Sequence, residues 1–68
     1  MSSDLAQLTE AMGAMYLGMG EIENAREYLR LSLRLYASLW ADEPERIEAK
    51  VAEMKAYLGQ VNLQSITS

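Results

Sequence analysis

One segment limits what this chain can fold into more than any other. Glu23 to Trp40, ENAREYLRLSLRLYASLW, holds no Gly or Pro and is rich in Leu, Arg, Glu and Ala. These residues favour helix because they lose little rotamer freedom there. At about 1.5 Å per residue the segment makes a rod of roughly 27 Å, the width of a small domain. Ile22, Ala25, Leu29, Ser32, Tyr36 and Leu39 recur at steps of three and four and form one stripe. Tyr28, Leu31 and Leu35 form a second, and Leu33 and Trp40 lie off both. A helix apolar over so much of its circumference needs partners on more than one side.

The whole chain is 68 residues, enough for one domain spanning 1–68. A chain this short buries only about 60% of its unfolded surface, so its stability alone is marginal. It contains no Cys and no His. That removes disulfides, thiolate metal sites, the commonest zinc ligand and the commonest general base. The net charge is −4, which argues against nucleic acid, since phosphate binding needs clustered Lys and Arg. No apolar run is long enough to cross a membrane. The opening MSSDLAQ lacks the basic-then-apolar pattern of a signal peptide, and a cytoplasmic protein is the expectation.

The first helix is expected over 4–18, with Asp4 and Gln7 as a capping box. Leu5, Leu8, Met12, Met15 and Met19 repeat at steps of three and four. The methionines of such a stripe, Met12, Met15 and Met19, are more often core than binding surface, and they are assigned to the core. Gly13 lies mid-helix, where Gly costs about 1 kcal/mol relative to Ala. Its presence implies close approach of another helix. Gly18 or Gly20 can end the helix in the left-handed conformation. A second helix over 22–40 follows after so short a turn that the pair must lie antiparallel.

The run from Met12 to Leu33 resembles a tetratricopeptide repeat. Gly13, Tyr16, Gly20, Ile22, Ala25 and Tyr28 sit at the separations of that family's pattern. Thr9 and Ser32 depart from it, and Ala37 stands where a repeat-ending Pro is usual. The resemblance covers roughly residues 6–40 and implies packed helical hairpins that bind other proteins. In the family, peptides dock in a groove lined by first helices. The matching surface here, Gln7, Glu10, Ala14, Leu17 and Gly18, has no cation for a carboxylate clamp.

A third helix is expected over 43–59, with Asp42 and Glu45 as a capping box and Pro44 in its first turn. Ile47, Val51, Met54, Leu58 and Val61 form its apolar stripe. Tyr57-Leu58-Gly59 echoes Tyr16-Leu17-Gly18, as a following repeat's first helix would. Residues 60–68 read as a frayed tail. The fold class is therefore all-α, an antiparallel helical hairpin plus a third helix.

Chemistry for catalysis is thin. Glu21/Glu23 and Asp42/Glu43/Glu45 cluster at helix N-termini, where the dipole alone favours acids. Ser and Thr lack a His or Lys partner at a recognisable spacing. No catalytic residue, metal site or cofactor is expected. Arg26, Arg30 and Arg34 form a ladder, read as a solvated strip paired with Glu23 and Glu27. Surplus apolar surface remains, for which Leu17, Leu33, Leu35, Tyr36 and Trp40 are the candidate interaction residues.

The expected function is a protein–protein interaction module or scaffold, most simply a twofold homo-oligomer. The alternatives are one slice of a longer repeat array binding a peptide in its groove, and a plain helical-bundle oligomerisation domain. An amphipathic membrane-surface helix is disfavoured by the acidic balance.

Overall fold

The computed structural model describes the backbone of residues 3–67 and the side chains of residues 3–58. Three helices follow in order: α1, Ser3–Gly18; α2, Ile22–Leu39; and α3, Pro44–Thr67. The fold is all-α.

The end of α1 is set by Gly20, whose φ is +79°. The Glu21 N–H donates to the Tyr16 carbonyl at 2.9 Å and the Gly20 N–H to the Leu17 carbonyl at 3.0 Å. This pair of bonds is a Schellman motif, which satisfies carbonyls the helix would otherwise leave open. Glu21 stands at the N-cap of α2 without bonding the backbone through its side chain. Its carboxylate instead accepts from the Asn24 side chain at 3.1 Å. The helices then run antiparallel, with Ala6 against Ser32, Gly13 against Leu29 and Tyr16 against Tyr28.

α1 turns toward α2 a face other than the expected one. Its buried residues are Ala6, Thr9 and Gly13. Leu5, Leu8, Met15 and Met19 stand exposed, and Met12 is only half-buried. The assignment of Met12, Met15 and Met19 to the core is therefore corrected. Small side chains let the two backbones approach closely, and Leu29 of α2 fills the space over Gly13. Larger side chains at that seam would hold the helices apart.

Two polar residues belong to this seam. Thr9 Oγ1 donates to the carbonyls of Leu5 at 3.0 Å and Ala6 at 2.9 Å. Ser32 Oγ, fully buried, reaches across to the same Ala6 carbonyl at 2.9 Å. A buried hydroxyl is tolerated because it is bonded. These two positions, read as departures from the repeat pattern, are thus accommodated by one carbonyl.

On α2 the stripe Ala25, Leu29, Ser32, Tyr36 is buried as expected. α3 does not cover the second stripe. It lies along the side carrying Leu29, Leu33, Tyr36 and Trp40, with Met54 buried in the shared core. Pro44 opens α3, where its missing N–H costs nothing. The helix was expected to end near 59 and give way to a tail, but it continues to Thr67. No Pro follows Gly59, and a single Gly costs only about 1 kcal/mol within a helix. In α1, Asp4 lies within the first turn rather than ahead of it. Val61 falls outside the described side chains.

Candidate functional site

Among the described residues, three places on the surface stand out as open to a partner. The first is the side of the hairpin turned away from α3. Leu5, Leu8, Met12 and Met15 run along one side of α1, and Met19 follows just past its end. Leu8 is 58%, Met15 65% and Met19 59% exposed. Tyr16 of α1 stacks on Tyr28 of α2, with ring centroids 5.3 Å apart. Tyr28, Leu31 and Leu35 share one side of α2 at steps of three and four. The stacked pair therefore joins the two stripes into one broad face. Leu31 is exposed and Leu35 half-buried within it. A shallow apolar hollow of about 120 Å³ opens among Met12, Met15, Tyr16 and Met19. No member of this face carries charge.

The second place is an open cleft of about 740 Å³ between α1 and α3, floored by the end of α2. Glu10 is its centre. Lys50 Nζ lies 3.1 Å from Glu10 Oε2, and the Tyr36 hydroxyl donates to Glu10 Oε1 at 2.8 Å. Lys50 also pairs with Glu53 at 3.3 Å. Tyr36 stacks on Trp40 at 4.4 Å between centroids. The Arg46 guanidinium sits over the Trp40 ring at 4.2 Å, and Arg46 pairs with Glu43 at 3.3 Å.

Burial pushes the Tyr36 phenol above its ordinary range, and the neighbouring Glu10 charge adds to the rise. For Lys50, burial alone would lower the ammonium. The bonds and charges of Glu10 and Glu53 together outweigh it, and the net direction is upward. α3 therefore brings two cations to a groove whose α1 side has none, and both are already matched by carboxylates. An incoming anion would have to displace an existing pair.

The third place is a narrower groove of about 290 Å³ between α2 and α3. Its floor is apolar, formed by Leu29, Leu33, Met54 and Leu58, and Arg26, Arg30 and Lys55 stand at its rim. Glu23 and Glu27 do not pair with the arginines as expected. Among the described residues, the ion pairs involve Arg46 and Lys50 and none involves Arg26, Arg30, Arg34 or Lys55.

The residues singled out from sequence for an interaction surface are redistributed. Tyr36 is only 3% exposed and is core, which corrects its assignment. Its ring is enclosed by Trp40 and Lys50 and its hydroxyl is used by Glu10. Leu17, Leu33, Leu35 and Trp40 are half-buried and pack against the core. The exposed apolar area lies mainly on α1 instead. Of the repeat-pattern residues, Gly13 and Ala25 are buried at the seam, and Tyr16 and Tyr28 stack. Gly20 makes the turn, and Ile22 is half-buried.

Among the described residues, no cluster of acids could hold a metal ion, and no helix is long and apolar enough to cross a membrane. Comparison with known protein families, curated proteins and solved structures returns no match to this chain.

Proposed function

We propose that this chain is a protein–protein interaction module of tetratricopeptide type that self-associates through the uncharged face of its hairpin. The observation that carries this reading is the exposure of Leu5, Leu8, Met15 and Met19 along one side of α1 and just past its end. Large exposed apolar patches mark association sites, because leaving them in water forgoes about 25 cal/mol per Å². The absence of charge on the face favours a second copy as the occupant. A twofold interface sets a patch against itself, so an uncharged apolar patch is self-complementary, and a charge near the axis would meet its own sign. The rest of a chain with net charge −4 would resist such pairing.

The repeat-type reading rests on the seam. Gly13 admits Leu29, Ala25 is buried opposite, and Tyr16 stacks on Tyr28 just before the Gly20 turn. A plain bundle has no need of a Gly at a seam so close. Catalysis forms no part of the proposal.

Light scattering over a concentration series tests it. The chain is expected to run as a dimer or larger species that dissociates on dilution. The double variant Leu8→Lys/Met15→Lys is expected to be a monomer of unchanged helicity. A wild-type chain that is monomeric at every concentration would overturn the proposal.

A further inference from the structure

The groove between α2 and α3 combines an apolar floor with cations that are not already matched by carboxylates, unlike those of the α1–α3 cleft. Its floor of Leu29, Leu33, Met54 and Leu58 is apolar, and its rim carries Arg26, Arg30 and Lys55. The chain as a whole is acidic, with 10 carboxylates against 6 cations. Half of its cations therefore stand around this one groove, and among the described residues no carboxylate lines it. Arg26 and Arg30, one helical turn apart on α2, form no ion pair with the described residues, and neither does Lys55 across from them. The contrast with Lys50 is informative, since that cation is held by Glu10 and Glu53 at 3.1 and 3.3 Å.

We propose that the α2–α3 groove docks an acidic amphipathic helix of a partner protein. The partner's apolar stripe lies on Leu29, Leu33, Met54 and Leu58, and its flanking carboxylates pair with Arg26 and Arg30 on one rim and Lys55 on the other. Arginine suits this role because its planar fork takes a carboxylate in two parallel hydrogen bonds. A helix laid into an apolar groove with charged rims is a recurring recognition geometry.

A second copy of this chain is a poor occupant. Grooves placed face to face would oppose arginine to arginine. Glu10, Glu43 and Glu53 are already used in ion pairs. A membrane surface also fits badly. The apolar floor is recessed between two helices, and a flat bilayer would meet the rim without filling the groove.

The docking site is separate from the self-association face, which lies on the side of α2 turned away from α3, so the two can fail independently. The test uses a fluorescent helical peptide of about 18 residues, long enough to follow the groove. It carries a Leu stripe flanked by Glu, and a control peptide carries Lys at the Glu positions. The Glu peptide is expected to bind and the Lys peptide not, with affinity falling as salt rises. Arg26→Gln/Arg30→Gln is expected to weaken the Glu peptide about tenfold or more. Arg26→Glu/Arg30→Glu is expected to reverse the preference toward the Lys peptide, an outcome that loss of folding cannot imitate. Neither variant is expected to alter the oligomeric mass. Equal binding of both peptides, unchanged binding by the charge-reversed variant, or no Glu-peptide binding up to roughly 1 mM overturns the proposal. Co-sedimentation with phosphatidylserine vesicles that depends on Arg26 and Arg30, without peptide binding, also overturns it and assigns the groove to lipid.

Discussion

Gly13 and Leu29 divide a single space between them. A Cβ placed on Gly13 would lie 2.7 Å from both Cγ and Cδ2 of Leu29 and 3.3 Å from the Ala25 carbonyl oxygen. Contacts below 3 Å must be relieved, and Cγ cannot swing away as a methyl could. Leu29 is 3% exposed, so it has nowhere to go without opening the seam. Gly13→Ala gains about 1 kcal/mol of helix propensity but overpacks the core, which costs about 1–3 kcal/mol. A net loss of stability in urea unfolding is expected, and Gly13→Leu is expected not to form the hairpin.

Gly18 provides the control. Nothing lies within 4 Å of a Cβ placed there, and its backbone is ordinary. Gly18→Ala is expected to stabilise the chain by about 0.4–1 kcal/mol, the effect of a restricted unfolded state and better helix propensity. If Gly13→Ala and Gly18→Ala shift the midpoint alike, the close approach at Gly13 is wrong.

The seam also predicts an unusual tolerance at Ser32. Its hydroxyl and that of Thr9 both donate to the Ala6 carbonyl, each at 2.9 Å. Ser32→Ala leaves that oxygen still bonded to Thr9, so no buried acceptor is stranded and the cost is about 0.5–1 kcal/mol. Ser32→Val keeps the apolar character of a core position yet adds volume where none is free. It is expected to cost more, about 1–3 kcal/mol. A chemical denaturation series of the two variants checks the order, and the reverse order would show that the seam has room for the added methyl groups.

This seam shows where sequence reading works and where it stops. Periodicity was enough for the three helices and for a stripe through Ala25, Leu29 and Ser32, although Tyr36 on that stripe was also assigned to an interaction surface. The turn was legible from its glycines as Gly18 or Gly20, of which the chain uses Gly20. On α1 two signals conflicted, since Gly13 implied a close approach while the methionine stripe was assigned to the core. The large residues Leu5, Leu8, Met15 and Met19 offer more area, and area alone favours them for the core. The small face wins because Gly13 and Ala6 let the axes approach and Thr9 and Ser32 find a shared acceptor. That acceptor is visible only in three dimensions, since Ala6 and Ser32 are 26 residues apart. The Glu10–Lys50 pair spans 40 residues and leaves no local trace either.

The exposed face gives a prediction about partition between stability and association. Met15→Lys removes apolar surface that the folded monomer does not use, since Met15 is 65% exposed. Its effect on unimolecular stability is expected to stay within about 0.5 kcal/mol, as for surface substitutions generally. Its effect on the dimer is expected to be large, because a buried lysine without a partner is costly. Sedimentation velocity and dilution-dependent melting separate the two effects. A variant that melts early yet associates normally would place Met15 in the fold instead.

Stability should also fall at alkaline pH, and the cause can be isolated at one cluster. Tyr36 and Lys50 both have proton affinities raised above their ordinary values in the folded state. The folded state then holds these protons more tightly than the unfolded one does. Their contribution is fully present below the unfolded pKa values, about 10 for both residue types. It is lost as pH rises through the higher folded values. A flat profile from pH 7 to about 9 and a decline above 10 are expected. Tyr36→Phe removes the 2.8 Å bond to Glu10. It is expected to cost about 1–2 kcal/mol at neutral pH and to make the alkaline decline shallower. Lys50→Met is expected to make it shallower as well, because it removes one of the two groups whose proton affinity rises on folding. The comparison rests on differences in slope from wild type. Urea midpoints at closely spaced pH values measure those slopes directly. Parallel profiles for all three proteins would mean that the Glu10 cluster does not couple proton binding to folding.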